Sequence, residues 1–416
     1  MPHTKKLFRI LSLDGGGSWA LIQARALQQL FGERTRGHDI LSRFDLVAAN
    51  SAGSLVLGGL LRDMALDDIV FLFRDRATRE RLFVPLGLDH LLDKILQLTL
   101  RLGPKYATAR KLDGIRAILH GVADTPLDQI TLGNRPAPRL LICGFDYDRK
   151  RATFFRSDGE SLANGRPVQP APTLAQAIHA STNAPVNYFD LPAVFSDASR
   201  YWDGAIGGYN NPVLAAVVEA LANRERYHCT PHTIRALSIG TGSVNLPMPG
   251  RHPAQSAVLE SVPAAPCLHK DLDKLARSII SDPPDAASYV AHLMLGGAVS
   301  VSADAPVQDG PLVRLNPMIQ PILATQDGHP AWRLPQGLTP LQFQQLIQLD
   351  IDAVEQGEVK LIERFCNAWL ADDVHNQTIR YDADLRPLIG HDRFSAARAA
   401  WERQAGFTHP PALRYG

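Results

Sequence analysis

The sequence has few cysteines, no excess of charge of either sign, and no long apolar run. It contains no Cys-x-x-Cys pair, which excludes a disulfide scaffold or a zinc ribbon; its four cysteines are Cys143, Cys229, Cys267 and Cys366. Lysine and arginine total 43 and aspartate and glutamate 42, so the net charge of +1 gives no electrostatic footprint for nucleic acid. These absences favour a globular protein with reduced thiols and no nucleic-acid partner.

Membrane-spanning and metal-binding signals are also missing. The longest uncharged stretch, residues 46–61, is shorter than the roughly 18 to 20 apolar residues that a spanning helix needs. Residues 1–6 include two lysines, but no apolar segment with a small-residue cleavage site follows them. The 14 histidines include no His-Glu-x-x-His spacing. We therefore expect a cytoplasmic protein with no metal and no cofactor.

A glycine loop follows the first apolar segment. Residues 7–13 predict a buried strand, residues 20–27 predict a helix, and Asp14-Gly15-Gly16-Gly17 lies between them. Such a loop directs backbone N–H groups outward, where they bind a phosphate or the oxyanion that forms when a carbonyl is attacked. The loop alone does not distinguish these two ligands.

Ser51 lies at a second strand-to-helix junction. Residues 44–49 predict a strand and residues 55–61 a helix, so Ala49-Asn50-Ser51-Ala52-Gly53 forms the turn between them. A nucleophile elbow needs small residues two places before and after its serine, and Ala49 and Gly53 are small. The alternative for an isolated motif is that Ser51 only caps the helix. The nearby glycine loop favours a nucleophile.

Asp203 is the candidate base. It precedes Gly204, and a carboxylate in a partly desolvated pocket can take a proton from a serine without histidine. An Asp-Gly pair more often only closes a turn.

The order of these three motifs resembles the patatin-like phospholipases, whose serine–aspartate dyad hydrolyses acyl esters of lipids. Residues 177–185 and 237–242 are similar to further segments of that family, and the resemblance covers about the first 245 residues. It implies that Ser51 is the nucleophile, that Asp203 is its base, and that the backbone amides of Gly15, Gly16 and Gly17 form the oxyanion hole. Asp14 would be structural.

One departure concerns the glycine loop. Where the family often has a basic residue and then glycine, this chain has Trp19 and Ala20, which puts head-group preference in doubt. The oxyanion donors belong to the main chain, so the chemistry should not depend on these side chains.

Three alternative functions remain open. Ser51, Asp203 and a later histidine follow the serine–acid–histidine chain order of an α/β-hydrolase. The candidate histidines are His228, His232 and His269. The serine comes too early in the sheet for that fold. A lipid-binding or signalling module could keep the fold with little turnover. A membrane-degrading effector activated by a nucleotide second messenger would use the C-terminal third for control.

Residues 71–111 form a candidate lid. A leucine-rich stretch at 86–102 has roughly helical spacing and is flanked by basic residues, so an amphipathic helix there could contact a membrane surface transiently. The alternative is a helix that faces the core, with its basic residues in solvent.

The remaining elements alternate between helix and strand. Residues 139–148 and 152–156 predict a hairpin, 174–180 and 213–222 helices, and 234–239 a strand, which together imply a largely parallel sheet covered on both faces. The resemblance implies an α/β three-layer sandwich of the patatin type. We expect a catalytic core at 1–245, and a mostly helical region at 246–416 that packs on it or regulates it. In that region we expect helices at 271–281, 285–295, 341–349 and 353–370, and a surface arm from residue 381 onward.

Overall fold

The computed structural model describes residues 6–86, 103–160, 171–247, 283–326 and 328–406. Within these ranges one central sheet has eight strands, which are β1 (Phe8–Leu13), β2 (Leu46–Ala49), β3 (Arg139–Asp146), β4 (Arg151–Arg156), β5 (Ala193–Val194), β6 (Arg200–Asp203), β7 (Ile234–Ile239) and β8 (Leu312–Leu315). Shorter strands pair outside it; they are Thr131–Leu132 with Arg135–Pro136, Ser243–Val244 with Met318–Ile319, Ile322–Gln326 with His329–Arg333, and Arg380–Tyr381 with Pro387–Ile389.

The helices of the described ranges flank this sheet. They are α1 (Leu21–Phe31), α2 (Gly37–Leu41), α3 (Ala52–Leu61), α4 (Leu66–Arg74), α5 (Arg76–Leu82), α6 (Thr108–Leu119), α7 (Leu174–Ser181), α8 (Val213–Ala222), α9 (Arg224–Tyr227), α10 (Pro283–Met294), α11 (Pro340–Gln348), α12 (Gln356–Leu370) and α13 (Phe394–Ala405). Single 3₁₀ turns occur at Gly17–Ala20, His120–Val122, Leu127–Gln129, Gly204–Gly207 and Pro231–Thr233.

The sheet is mainly parallel, as the sequence predicts. Its strand order is β8-β7-β1-β2-β3-β6-β5, and β4 also pairs with β3. The strands from β8 to β3 in this order run parallel to one another, whereas β4, β5 and β6 pair antiparallel. The predicted hairpin is β3 with β4. The carboxyl ends of β1 and β2 therefore meet at one edge, where α/β proteins place their ligand sites.

Alternating side chains of the strands enter two separate cores. On β1, Leu11 and Leu13 pack into the core that contains α1, α3, α4 and α7, while Phe8 and Ile10 pack into the core that contains α8. Successive side chains of a strand point to opposite faces, so apolar residues at every position require helices on both sides. The result is the three-layer α/β sandwich that was predicted.

The C-terminal region completes the central sheet. Strand β8 pairs in parallel with β7, from Leu312 opposite Ala236 to Leu315 opposite Ile239, and its four residues are buried. The sequence did not suggest a strand here, because β8 is short and carries a charged residue, Arg314.

The prediction of a surface arm from residue 381 onward is wrong for the part of this segment that the structure describes. Helix α13 buries Phe394 and Trp401, and the Trp401 ring stacks on Phe44 of the N-terminal part with a centroid separation of 6.0 Å. The Arg9 side chain donates to the carbonyl oxygen of Ala405 at 2.7 Å. Many arginines suggested an exposed segment, but the apolar side chains between them share one buried helix face.

The first part of the candidate lid consists of α4 and α5, and α6 begins near its end. Residues 87–102 of its leucine-rich stretch lie outside the described residues. The predicted helix at 271–281 also lies outside them, as does nearly all of a segment at 247–266 that is rich in proline. The other predicted C-terminal helices correspond to α10, α11 and α12. Among the helices of the described ranges, none has the length and hydropathy required to cross a bilayer.

Candidate active site

Ser51 lies on the sharp turn between β2 and α3. Its backbone has φ 47° and ψ −128°, a strained conformation for a residue with a side chain. The turn passes so close to β1 that a Cβ on Gly53 would lie 2.5 Å from the carbonyl oxygen of Leu13. The Ser51 N–H donates to Ser181 Oγ at 2.8 Å, which anchors the turn to α7. The strand-turn-helix geometry predicted around Ser51 is present.

Asp203 is buried at the end of β6, next to Ser51. Its Oδ1 accepts hydrogen bonds from Asn50 Nδ2 at 3.0 Å and from the Ala205 N–H at 2.9 Å. The Ser51 side chain is also near enough to this carboxylate to favour its charged form. Burial raises the pKa of Asp203, while these hydrogen bonds oppose the rise by stabilising the charged form. The structure thus brings the predicted nucleophile and base close together.

The glycine loop packs against the serine. A Cβ on Gly15 would lie 2.9 Å from the Cβ of Ser51, so only glycine allows this approach. The Gly15 N–H donates to the carbonyl oxygen of Asn210 at 2.9 Å. Gly16 and Gly17 have φ of 155° and 58°, and Gly17 opens the 3₁₀ turn. The loop is therefore held in a conformation that requires glycine at several consecutive positions.

A buried ion pair fixes the residue before the loop. Asp14 Oδ2 lies 2.6 Å from Arg314 Nη2 on β8, and both side chains are nearly inaccessible to solvent. Burial raises the pKa of Asp14 to about 6, although the Arg314 guanidinium acts in the opposite direction. Arg314 also donates to Ser238 Oγ at 2.7 Å and to Gln377 Oε1 at 3.1 Å. Asp14 is structural, as the resemblance implied, and its partner comes from the C-terminal region.

An apolar cleft opens beside Ser51. It is walled largely by α3, α4 and α5 and by the segment after α7; its apolar lining includes Leu55, Leu72, Phe73, Leu82, Phe83, Ile118 and Phe189. The cavity in the cleft measures only about 50 Å³. A second cavity of about 330 Å³ lies on the other side of the glycine loop, against Gly15, Gly16 and Trp19. Tyr188 and Ile351 line both cavities.

A lysine is buried in the wall of the cleft. Lys111 is 1% exposed, and its Nζ donates to Asn183 Oδ1 at 2.7 Å and lies 3.9 Å from the centroid of the Phe189 ring. The carbonyl oxygen of Asn183 in turn accepts the Asp203 N–H. Burial lowers the pKa of Lys111 well below its usual value, against the attraction of Asp203.

Two of the basic residues assigned from sequence to the lid flanks are not in solvent. Lys111 and Arg79 are both buried, and Arg79 donates to the carbonyl oxygens of Phe73 and Val354. The burial of these two side chains could not be predicted from the sequence, because a lysine or arginine between apolar positions of a helix usually extends to solvent.

The histidines of the α/β-hydrolase alternative lie elsewhere. His228 and His232 are exposed, and neither lines the Ser51 cleft. His269 lies outside the described residues. Within the described ranges, no group of three His, Cys, Asp or Glu side chains is arranged to hold a metal ion.

Comparison with known proteins identifies the domain that carries this site. The sequence model of the family described as patatin-like phospholipase matches residues 11–217, a range that includes the glycine loop, Ser51 and Asp203. Residues 11–217 form a patatin-like phospholipase domain. At the level of the family, this domain is similar to lipid acyl hydrolases.

Solved structures similar to this chain have low sequence identity. VipD from Legionella pneumophila is 10% identical with a TM-score of 0.34, over 95% of this chain and 74% of VipD. Human GIVD cytosolic phospholipase A2 is 18% identical with a TM-score of 0.25, over 44% of this chain and 28% of that enzyme. The type III effector protein ExoU is 12% identical with a TM-score of 0.24, over 67% of this chain and 53% of ExoU. No curated protein matches the chain.

Proposed function

We propose that the patatin-like domain is a serine hydrolase that cleaves fatty-acyl esters of glycerophospholipids. The observation that carries this proposal is the proximity of Ser51 to the buried Asp203 carboxylate, beside a glycine loop that packs on the serine. Such an arrangement supplies a nucleophile, a base and main-chain donors in one place.

The reaction would proceed through an acyl-enzyme. Asp203 takes the proton of Ser51 as Oγ attacks the ester carbonyl, and then gives that proton to the departing alcohol of the lysophospholipid. Water, deprotonated by Asp203, attacks the acyl-Ser51 ester, and the fatty acid leaves as Ser51 recovers its proton. Because the Gly15 N–H already donates to Asn210, we assign the oxyanion to the amides of Gly16 and Gly17.

Exposed apolar side chains support transient contact with a membrane surface. Phe71 is 60% exposed and Leu191 60% exposed, and each lies close in sequence to residues that line the cleft. Exposed apolar groups beside a cleft suit a protein that takes its substrate from a lipid surface. We place this contact at the inner face of the cell membrane.

The test compares Ser51→Ala and Asp203→Asn with two exposed controls, Ser42→Ala and Asp113→Asn. Fatty-acid release from mixed phospholipids, followed by mass spectrometry, should fall by about 10⁴-fold or more in the site variants and stay unchanged in the controls. A fluorophosphonate should label Ser51 in the wild type. A lipid-binding module would retain lipid without being labelled, and that result would reject the hydrolase.

A further inference from the structure

A short acidic segment of the C-terminal region crosses the glycine loop. We call Asp350, Ile351 and Asp352 the acidic strap; it lies between α11 and α12. The carbonyl oxygen of Ile351 accepts the Ser18 N–H at 2.8 Å, and a Cβ on Gly17 would lie 2.0 Å from that oxygen. Since Ile351 lines both cavities, the strap separates the Ser51 cleft from the larger cavity.

Three side chains donate to the two carboxylates of the strap. Asp352 Oδ2 accepts from Lys105 Nζ at 2.9 Å and from the Tyr106 hydroxyl at 2.7 Å. Asp350 accepts from the Tyr188 hydroxyl, and its Oδ2 lies 3.6 Å from the same Lys105 Nζ. An ammonium and two phenol hydroxyls thus converge on a pair of anionic groups beside the glycine loop.

The strap forms part of the wall of the Ser51 cleft through Ile351, so its displacement would widen the cleft beside the glycine loop. When the strap leaves, the Lys105 ammonium, whose side chain is 37% exposed, loses its carboxylate partners and becomes available to another anion. A phosphodiester presents two charged oxygens to such a set of donors.

We propose that Lys105, Tyr106 and Tyr188 form a phosphate subsite next to Ser51, and that Asp350 and Asp352 occupy it until a phosphate-bearing substrate displaces them. This inference rests on the proposed function and deepens it, because it selects phospholipids over neutral esters. Tyr188 connects the two parts of the site, since it binds Asp350 and also lines the Ser51 cleft.

The first test measures selectivity in Lys105→Met. The ratio of kcat/KM for soluble dihexanoylphosphatidylcholine to that for dihexanoylglycerol should fall by about 10- to 100-fold, the value of a lost charge-assisted hydrogen bond. Arg110→Met, an exposed cation at the start of α6, should keep the wild-type ratio. An unchanged ratio in Lys105→Met would overturn the subsite.

Added inorganic phosphate distinguishes the source of the anion. If the subsite serves the lipid, inorganic phosphate should compete with dihexanoylphosphatidylcholine and not raise its turnover. If inorganic phosphate instead accelerates hydrolysis of both esters equally, the site belongs to a free phosphate activator, and the substrate subsite is wrong.

The second test measures the strap directly. In Asp350→Asn/Asp352→Asn, a fluorophosphonate should label Ser51 about fivefold faster or more, because neutral amides bind Lys105 more weakly. The matched control is Asp304→Asn/Asp309→Asn, which changes two exposed aspartates that pair with Arg386 and Arg403. Equal labelling rates in the two double variants would reject the strap. If the wild type and both double variants all stay unlabelled, the proposed hydrolase itself fails.

Discussion

Arg314 should stabilise the protein in a pH-dependent way, because it neutralises a buried carboxylate. Burial raises the pKa of Asp14 from 3.8 to about 6, so the folded protein retains a proton between these values that the unfolded chain loses. The free energy of unfolding therefore falls as the pH rises through this window. Even with Arg314 present, this rise in the pKa of Asp14 corresponds to a fall of about 3 kcal/mol in the free energy of unfolding across the window.

Replacing Arg314 by methionine should raise the pKa of Asp14 further, because the opposing charge and hydrogen bond are gone. At pH 5 Asp14 is then protonated, and the loss should be about 1.5–3 kcal/mol from the broken hydrogen bonds. At pH 8 the uncompensated charge should increase the loss to about 3–5 kcal/mol.

Urea unfolding at pH 5, 6.5 and 8 measures these differences. Arg386→Met is the matched control, because Arg386 pairs with Asp382 at the surface and is half exposed; it should change stability little at any of these pH values. A loss for Arg314→Met that is equal at pH 5 and pH 8 would show that burial does not govern the ionisation of Asp14, and would refute the reasoning.

Two further predictions concern the dyad. Ser51→Gly should be more stable than Ser51→Ala by about 1 kcal/mol, because glycine relieves the strain at φ 47°; equal urea midpoints would contradict this. Lys111→Met should move the acidic limb of the kcat/KM profile to higher pH, because Asp203 must be ionised to act as base and the charge of Lys111 lowers its pKa. Arg110→Met serves as the exposed control on the same helix. If the acidic limb of the kcat/KM profile does not shift in Lys111→Met, this lysine does not influence Asp203.

The parts of the fold that follow local patterns could be predicted from the sequence. The apolar runs before Asp14 and Asn50 predict β1 and β2, and the small residues around Ser51 predict the turn that the structure contains. These features depend on neighbouring residues only, so a sequence is sufficient to find them.

Features that depend on distant residues could not be predicted. Nothing near Arg314 indicates that its guanidinium meets Asp14, and the strap binds the glycine loop through a carbonyl oxygen, which every residue has. Helix α13 is a different case. Phe394, Ala397 and Trp401 recur at helical spacing and are all buried, so a periodicity count would have found a buried face among the arginines.

The late position of β8 in the chain has a consequence during protein synthesis. On the ribosome, Asp203 emerges before the strand that carries Arg314 by about 5–20 s at ordinary elongation rates, and Ser51 emerges earlier still. Until that strand docks on β7, the nascent chain has an open sheet edge and an uncompensated charge directly before the glycine loop. The nascent chain is therefore expected to be inactive until the strand that carries Arg314 has emerged and paired with β7.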